Sequence, residues 1–178
     1  MDQPSPRSQL PRLTLVLGGA RSGKSRHAEG LVTATPAPWI YVATAQAFDE
    51  EMTARIAQHR SRRADGWRTI EAPLDLAGTI AEHASSDRMM LIDCLTLWLS
   101  NVMLDGRDVA TACNTLLGAL ATATGPIVVV SNEVGLGIVP DNALARCFRD
   151  AQGRLNQEIA ARADRVVLMA AGLPLTLK

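Results

Sequence analysis

The stretch that most constrains this chain is Gly18-Gly19-Ala20-Arg21-Ser22-Gly23-Lys24-Ser25. It completes the pattern of a glycine, four variable residues and Gly-Lys-Ser or Gly-Lys-Thr. The context on either side gives the match its weight. Leu13 to Leu17 is a short apolar, partly β-branched run that reads as a buried strand, and a helical pattern starts near Lys24 and continues through Ala28 and Leu31 to about Thr33. A glycine-rich turn between such elements lets the backbone wrap an anion with several N–H groups pointing inward. The helix behind it adds the partial positive charge of its N-terminus. Lys24 is then placed to act on the outer phosphates of a nucleoside triphosphate, and the Ser25 hydroxyl to hold Mg²⁺.

The remaining pattern alternates strands with helices. Strands are expected at Trp39–Ala43, around Arg68–Ile70, at Met89–Asp93 and at Ile127–Val130, with Val166–Met169 and Leu175–Leu177 as a terminal antiparallel pair separated by Gly172-Leu-Pro174. Helices are expected over Asp49 to about Arg63, Leu74–His83, Leu95–Met103, Val109–Ala121 and about Asn142–Arg162. Strands apolar throughout, rather than alternating, belong to a sheet covered on both faces. The spacing therefore predicts an α/β domain: a mainly parallel sheet with helices on both faces and an antiparallel C-terminal edge. Residues 13–178 read as one domain, and the Pro- and Ser-rich residues 1–12 as a disordered leader.

Composition removes several classes of function. Lys+Arg and Asp+Glu balance at 18 each and aromatics make up only 3%, so neither a nucleic-acid surface nor a base-stacking platform is expected. Cys94, Cys113 and Cys147 are too scattered for a zinc site or a disulfide framework. No run approaches the roughly 20 apolar residues of a membrane span, and the start lacks a signal-peptide pattern, so a cytoplasmic protein is expected.

Two further features bear on chemistry. Asp93 closes an apolar strand, where parallel sheets line their ligand crevice, and suits a metal-binding carboxylate; capping the following helix is the plainer role, and the two are compatible. The segment Asp49 to Arg63 has acids in its first turn and His59, Arg60, Arg62 and Arg63 towards its end. It reads as a solvated amphipathic helix whose charges suit its dipole. The spacing also permits His59, three residues after Ile56 and at the margin of the apolar stripe, to attack an α-phosphorus while arginines hold the leaving pyrophosphate. His27 and His83 read as ordinary, partly exposed histidines. Glu133 reads as a residue orienting substrate or metal, or as a polar turn.

Taken together, the phosphate loop at 18–25, Tyr41-Val-Ala-Thr44, the Asp49–Met52, Arg55-Ile56 and His59 helix, Trp67-Arg-Thr-Ile-Glu71 and Ser131-Asn-Glu-Val-Gly-Leu-Gly-Ile-Val-Pro140 resemble the bifunctional adenosylcobinamide kinase/adenosylcobinamide-phosphate guanylyltransferase family of cobalamin biosynthesis. The resemblance runs from about Leu13 to the C-terminus. It implies a RecA-like P-loop NTPase fold, a homotrimer, a corrinoid substrate, ATP and GTP as co-substrates with Mg²⁺, and two successive transfers. A nucleoside triphosphate phosphorylates the aminopropanol hydroxyl; GTP then loads GMP onto a histidine, and the substrate phosphate takes it up. By the same resemblance His59 is the guanylylated residue, although some relatives carry two adjacent histidines where this chain has Gln58-His59. Arg60, Ser61, Arg62, Arg63, Ala43, Thr44, Ala45, Glu71 and Asp93 are further nucleotide-binding positions, with Ser25 and Asp93 on the metal. A single-function P-loop kinase, or a nucleotide-driven switch or assembly ATPase, would share the phosphate loop without needing His59.

Overall fold

In the computed structural model, residues 11–46 and 65–178 are described. The expected helix over Asp49–Arg63, with His59, Arg60, Ser61, Arg62 and Arg63, lies outside them, as does the leader through residue 10.

Among the described residues seven strands form one sheet: β1 (Leu13–Gly18), β2 (Trp39–Ala43), β3 (Trp67–Glu71), β4 (Met90–Asp93), β5 (Ile127–Asn132), β6 (Arg165–Ala170) and β7 (Leu173–Thr176). Their spatial order is β3-β2-β4-β5-β1-β6-β7, parallel throughout except for the β6–β7 pair at the edge. Five helices among the described residues cover it: α1 (Lys24–Thr33), α2 (Leu76–His83), α3 (Leu95–Leu104), α4 (Val109–Thr122) and α5 (Ala143–Arg162).

The uniformly apolar strands have two buried faces, as expected of a parallel sheet. Leu13, Leu15 and Leu17 of β1 point with Ile127 and Val129 of β5 into a core completed by Ile80 of α2, Leu99 of α3, Leu116 of α4 and Ile159 of α5. The intervening residues Val16, Val128 and Val130 face the other way, onto Ala28 and Val32 of α1. The sheet therefore carries α1 and the phosphate loop on one face and α2–α5 on the other.

Helix starts follow local chemistry. Asp75, Asp108 and Asn142 cap α2, α4 and α5, their side chains accepting from Gly78, Thr111 and Ala145 N–H at 2.7–2.9 Å. The expected start of α2 at Leu74 moves to Leu76 because Asp75 acts as its cap. The C-terminal pair differs more. The connection is not Gly172-Leu-Pro174 but the two residues Ala171 and Gly172, both at positive φ (52° and 80°), the conformation that tight hairpin turns demand. Leu173 and Pro174 belong to β7 itself, where Pro174 is tolerated because β7 is an edge strand. Arg12, just before β1, donates to the Ala121 and Ala123 carbonyls at the end of α4. Among the described residues no helix is long and apolar enough to cross a membrane.

The central position of β1 gives a stability prediction. Leu15 is fully buried between β5 and β6, so Leu15→Ala should cost about 2–5 kcal/mol in urea unfolding. A loss under about 1 kcal/mol would mean that β1 is not in the core.

Candidate active site

The loop at 18–25 leaves β1 at the carboxyl edge of the sheet. Gly18 is required by close approach: a Cβ there would lie 2.8 Å from the Met169 carbonyl oxygen and collide with the Ser22 hydroxyl. Gly23, at φ 93°, starts α1 in the left-handed conformation that side-chain-bearing residues avoid. Neighbouring strands fix the loop from outside. Glu133 N–H donates to the Gly18 carbonyl at 3.2 Å and Gly172 N–H, from the β6–β7 turn, to the Ser22 carbonyl at 3.0 Å. The Lys24 ammonium donates to the Gly19 carbonyl at 2.9 Å, which holds it over the loop.

The other expected nucleotide positions fall along the same edge. Ala43 ends β2 and is in register with Glu71 at the end of β3 and Asp93 at the end of β4. Asp93 does not cap α3: the cap position is Cys94, which makes no side-chain cap bond. The Asp93 carboxylate instead accepts from the Tyr41 hydroxyl at 3.1 Å, on the α1 face of the sheet to which Tyr41 and Leu91 belong. Thr44 is fully buried, and its hydroxyl donates to the Cys94 carbonyl at 2.7 Å and accepts from the Cys94 N–H at 2.8 Å. Thr44 thus ties the end of β2 to the end of β4 through its side chain. Asn101 of α3 completes the splice by donating to the Thr44 and Pro73 carbonyls at 2.8 and 3.0 Å.

The structure therefore brings Gly18–Ser25, Ala43–Ala45, Glu71 and Asp93 to one edge. Ser25 and Asp93 are hard oxygen donors of the kind Mg²⁺ takes, alongside phosphate oxygens. Glu133 turns onto its own loop, accepting from Gly135 N–H at 2.7 Å. His27 follows the phosphate loop on α1, and burial, helped by the Arg165 charge, lowers its pKa and favours the neutral imidazole. His83, on the last turn of α2, lies 3.5 Å from the Glu82 carboxylate.

Several contributors escape sequence reasoning. Tyr41, Asn101 and Thr96 act through partners far along the chain. So does a buried cluster behind β5, in which Gln152 and Asn156 of α5 bond the Ser131 hydroxyl at 2.9 and 2.7 Å. The available signal was the placing of Asn101, Gln152 and Asn156 at buried helical positions, where a polar side chain needs a specific partner.

Residues 14–177 match the family model described as cobinamide kinase / cobinamide phosphate guanyltransferase. The chain belongs to this family. It is 50% identical to the bifunctional adenosylcobalamin biosynthesis protein CobP of Pseudomonas aeruginosa PAO1 over 166 residues, 92% of this chain and 96% of that one. It is 39% identical to CobU of Escherichia coli K12, covering 93% and 99%. Among solved structures, a protein of Pyrococcus horikoshii OT3 superposes with TM-score 0.56 at 7% identity, over 94% of this chain and 86% of that one. The assembled type III secretion ATPase EscN of enteropathogenic E. coli gives 0.55 at 11% identity, over 90% of this chain but only 43% of its own. At such identities these two structures speak for the fold alone, a mainly parallel, helix-covered sheet of the RecA-like P-loop kind.

The splice at Thr44 has a chemical corollary. Burial, with the Asp93 charge second, pushes the Cys94 thiol up to about 11, so below that pH the reactive thiolate is scarce. Cys113 is also raised by burial, and Cys147 is exposed. Native protein at pH 8 should be alkylated by iodoacetamide in the order Cys147, Cys113, Cys94, as read by peptide mass spectrometry. Early labelling of Cys94 would contradict this packing.

Proposed function

We propose that this chain phosphorylates the aminopropanol hydroxyl of adenosylcobinamide with ATP or GTP, then transfers GMP from GTP to the product through a guanylylated His59, giving adenosylcobinamide-GDP. The observation that carries the reading is membership of the family across residues 14–177, with the phosphate loop intact at the carboxyl edge of the sheet.

Each residue can be given a task. Main-chain amides of Gly19 to Ser25 bind phosphate oxygens, and Lys24, now on the Gly19 carbonyl, swings to the outer phosphates. Ser25 and Asp93 hold Mg²⁺, which when bound offsets charge on the phosphates. Ala43, Ala45 and Glu71 border the nucleotide at the ends of β2 and β3; Thr44, fully buried with its hydroxyl on Cys94, its N–H on the Asp93 carbonyl and its own carbonyl on Asn101, holds that border in place. Arg60, Ser61, Arg62 and Arg63 contact the triphosphate beside His59. In the kinase step the loop presents the γ-phosphate. In the guanylyl step the same loop retains the β- and γ-phosphates while the imidazole attacks the α-phosphorus and pyrophosphate leaves.

A cytoplasmic location and a homotrimer, as the family resemblance implies, complete the proposal. Self-association is supported by the large apolar side chains left exposed on the 133–144 segment (Leu136, Ile138, Val139 and Leu144) and on β7 and its tail (Leu173, Leu175 and Leu177), which it would cover.

Incubation of wild-type protein with α-³²P-GTP and Mg²⁺ should leave an acid-labile, alkali-stable label, and His59→Ala should abolish it while keeping γ-phosphate transfer to adenosylcobinamide. Wild-type protein that transfers the γ-phosphate but never takes up label would be a single-function kinase. Absence of both activities would sink the whole reading.

A further inference from the structure

We infer that Asn132, to which no role has been assigned, is a substrate-contacting residue of the kinase half-reaction: its carboxamide oxygen accepts a hydrogen bond from the acceptor hydroxyl at the γ-phosphate. This rests on the function proposed above and adds a residue to it.

The first ground is topological. β5 lies between β1, which delivers the phosphate loop, and β4, which delivers Asp93. Asn132 is the last residue of β5 and sits in register with Gly18, the first residue of the loop. Anything held between Lys24 and Asp93 is therefore beside the end of β5.

The second ground is direction. Along β5, Val128 and Val130 face the α1 side of the sheet, whereas Ser131 faces α5 and is bonded there by Gln152 and Asn156. Alternation puts the Asn132 side chain on the α1 side, the side of the phosphate loop and of the Asp93 carboxylate.

The third ground is hydrogen bonding. Both main-chain groups of Asn132 are held by side chains from the opposite layer: its N–H donates to the Thr96 hydroxyl at 2.8 Å and its carbonyl accepts from Asn156 Nδ2 at 3.0 Å. The Asn132 side-chain oxygen Oδ1 is buried and has no partner among the described residues. A buried polar atom is ordinarily satisfied, and an orphan acceptor beside a reaction site calls for a donor supplied by the ligand. Phosphate oxygens are acceptors and do not answer that need; an alcohol O–H does. Glu133, the neighbouring acid, is engaged by Gly135.

The step balances without Asn132 gaining or losing a proton. The acceptor oxygen bonds to the γ-phosphorus as the bridging oxygen departs with its electron pair on the nucleoside diphosphate. The hydroxyl proton passes to an oxygen of the transferred phosphoryl group. Asn132 fixes the direction of that O–H, and so of the attacking lone pair. Orientation of this kind is worth about 10²-fold, as for other single hydrogen bonds made at a transition state.

The guanylyl transfer to histidine uses no alcohol, so the two activities separate the possibilities. Asn132→Ala should lower kcat for phosphorylation of adenosylcobinamide by about 10²-fold. It should leave label uptake from α-³²P-GTP, the Kd for a non-hydrolysable GTP analogue with Mg²⁺, and Tm near wild type. Phosphorylation within about three-fold of wild type would overturn the inference. So would a parallel loss of label uptake or nucleotide affinity, which would place Asn132 on the phosphates or metal, or a fall in Tm large enough to explain both losses. Wild-type protein serves as the internal reference: if it neither phosphorylates adenosylcobinamide nor takes up label, the proposed function itself fails, whatever the variant does.

Discussion

The close passage of the main chain at Gly18, against the Met169 carbonyl and the Ser22 hydroxyl, is the constraint on which the rest of this molecule depends. It lets β1 turn directly into α1, so that the amides of the loop and the N-terminus of the helix converge on one point. Strands on either side of β1 then fix that point, through Glu133 at the end of β5 and Gly172 in the β6–β7 turn. The antiparallel edge is thus part of the site: its two-residue turn reaches the phosphate loop because Ala171 and Gly172 adopt positive φ.

From this point the site extends along the sheet by hydrogen bonds between strand ends. Thr44 joins β2 to β4, and Tyr41 holds the Asp93 carboxylate. Asn101 brings in α3 from the opposite layer. Behind β5, the Ser131–Gln152–Asn156 cluster does the same from α5. Buried polar groups of this kind add modestly to stability when satisfied and cost more when broken. Here they keep the ends of β2, β3, β4 and β5 in fixed relation to one anion pocket. A rigid edge of that sort suits an enzyme asked to present first a γ- and then an α-phosphate, since positioning carries most of the rate in phosphoryl transfer.

Most of the fold was legible in the sequence, because a parallel sheet buried on both faces writes its strands as unbroken apolar runs. Ile127–Val130 and Met89–Asp93 were recognisable for that reason. The terminal antiparallel pair is legible too, but its connection is shorter than the breaker-like run Gly172-Leu-Pro174 suggests, because the edge position of β7 makes Pro174 acceptable within a strand. At the site, the loop and Asp93 stood out because their chemistry is local. Partnerships such as Thr44 with Cys94, Tyr41 with Asp93 or Thr96 with Asn132 span 50, 52 and 36 positions. No periodicity encodes such pairings.

The most direct test of this account is calorimetric titration of GTP with Mg²⁺ into wild-type and Lys24→Ala protein. One charge-assisted contact to the outer phosphates is worth roughly 1.5–3 kcal/mol, so the variant should bind about 10- to 100-fold more weakly with an unchanged Tm. Equal affinity in the two proteins would mean that the triphosphate is held somewhere other than the loop at 18–25.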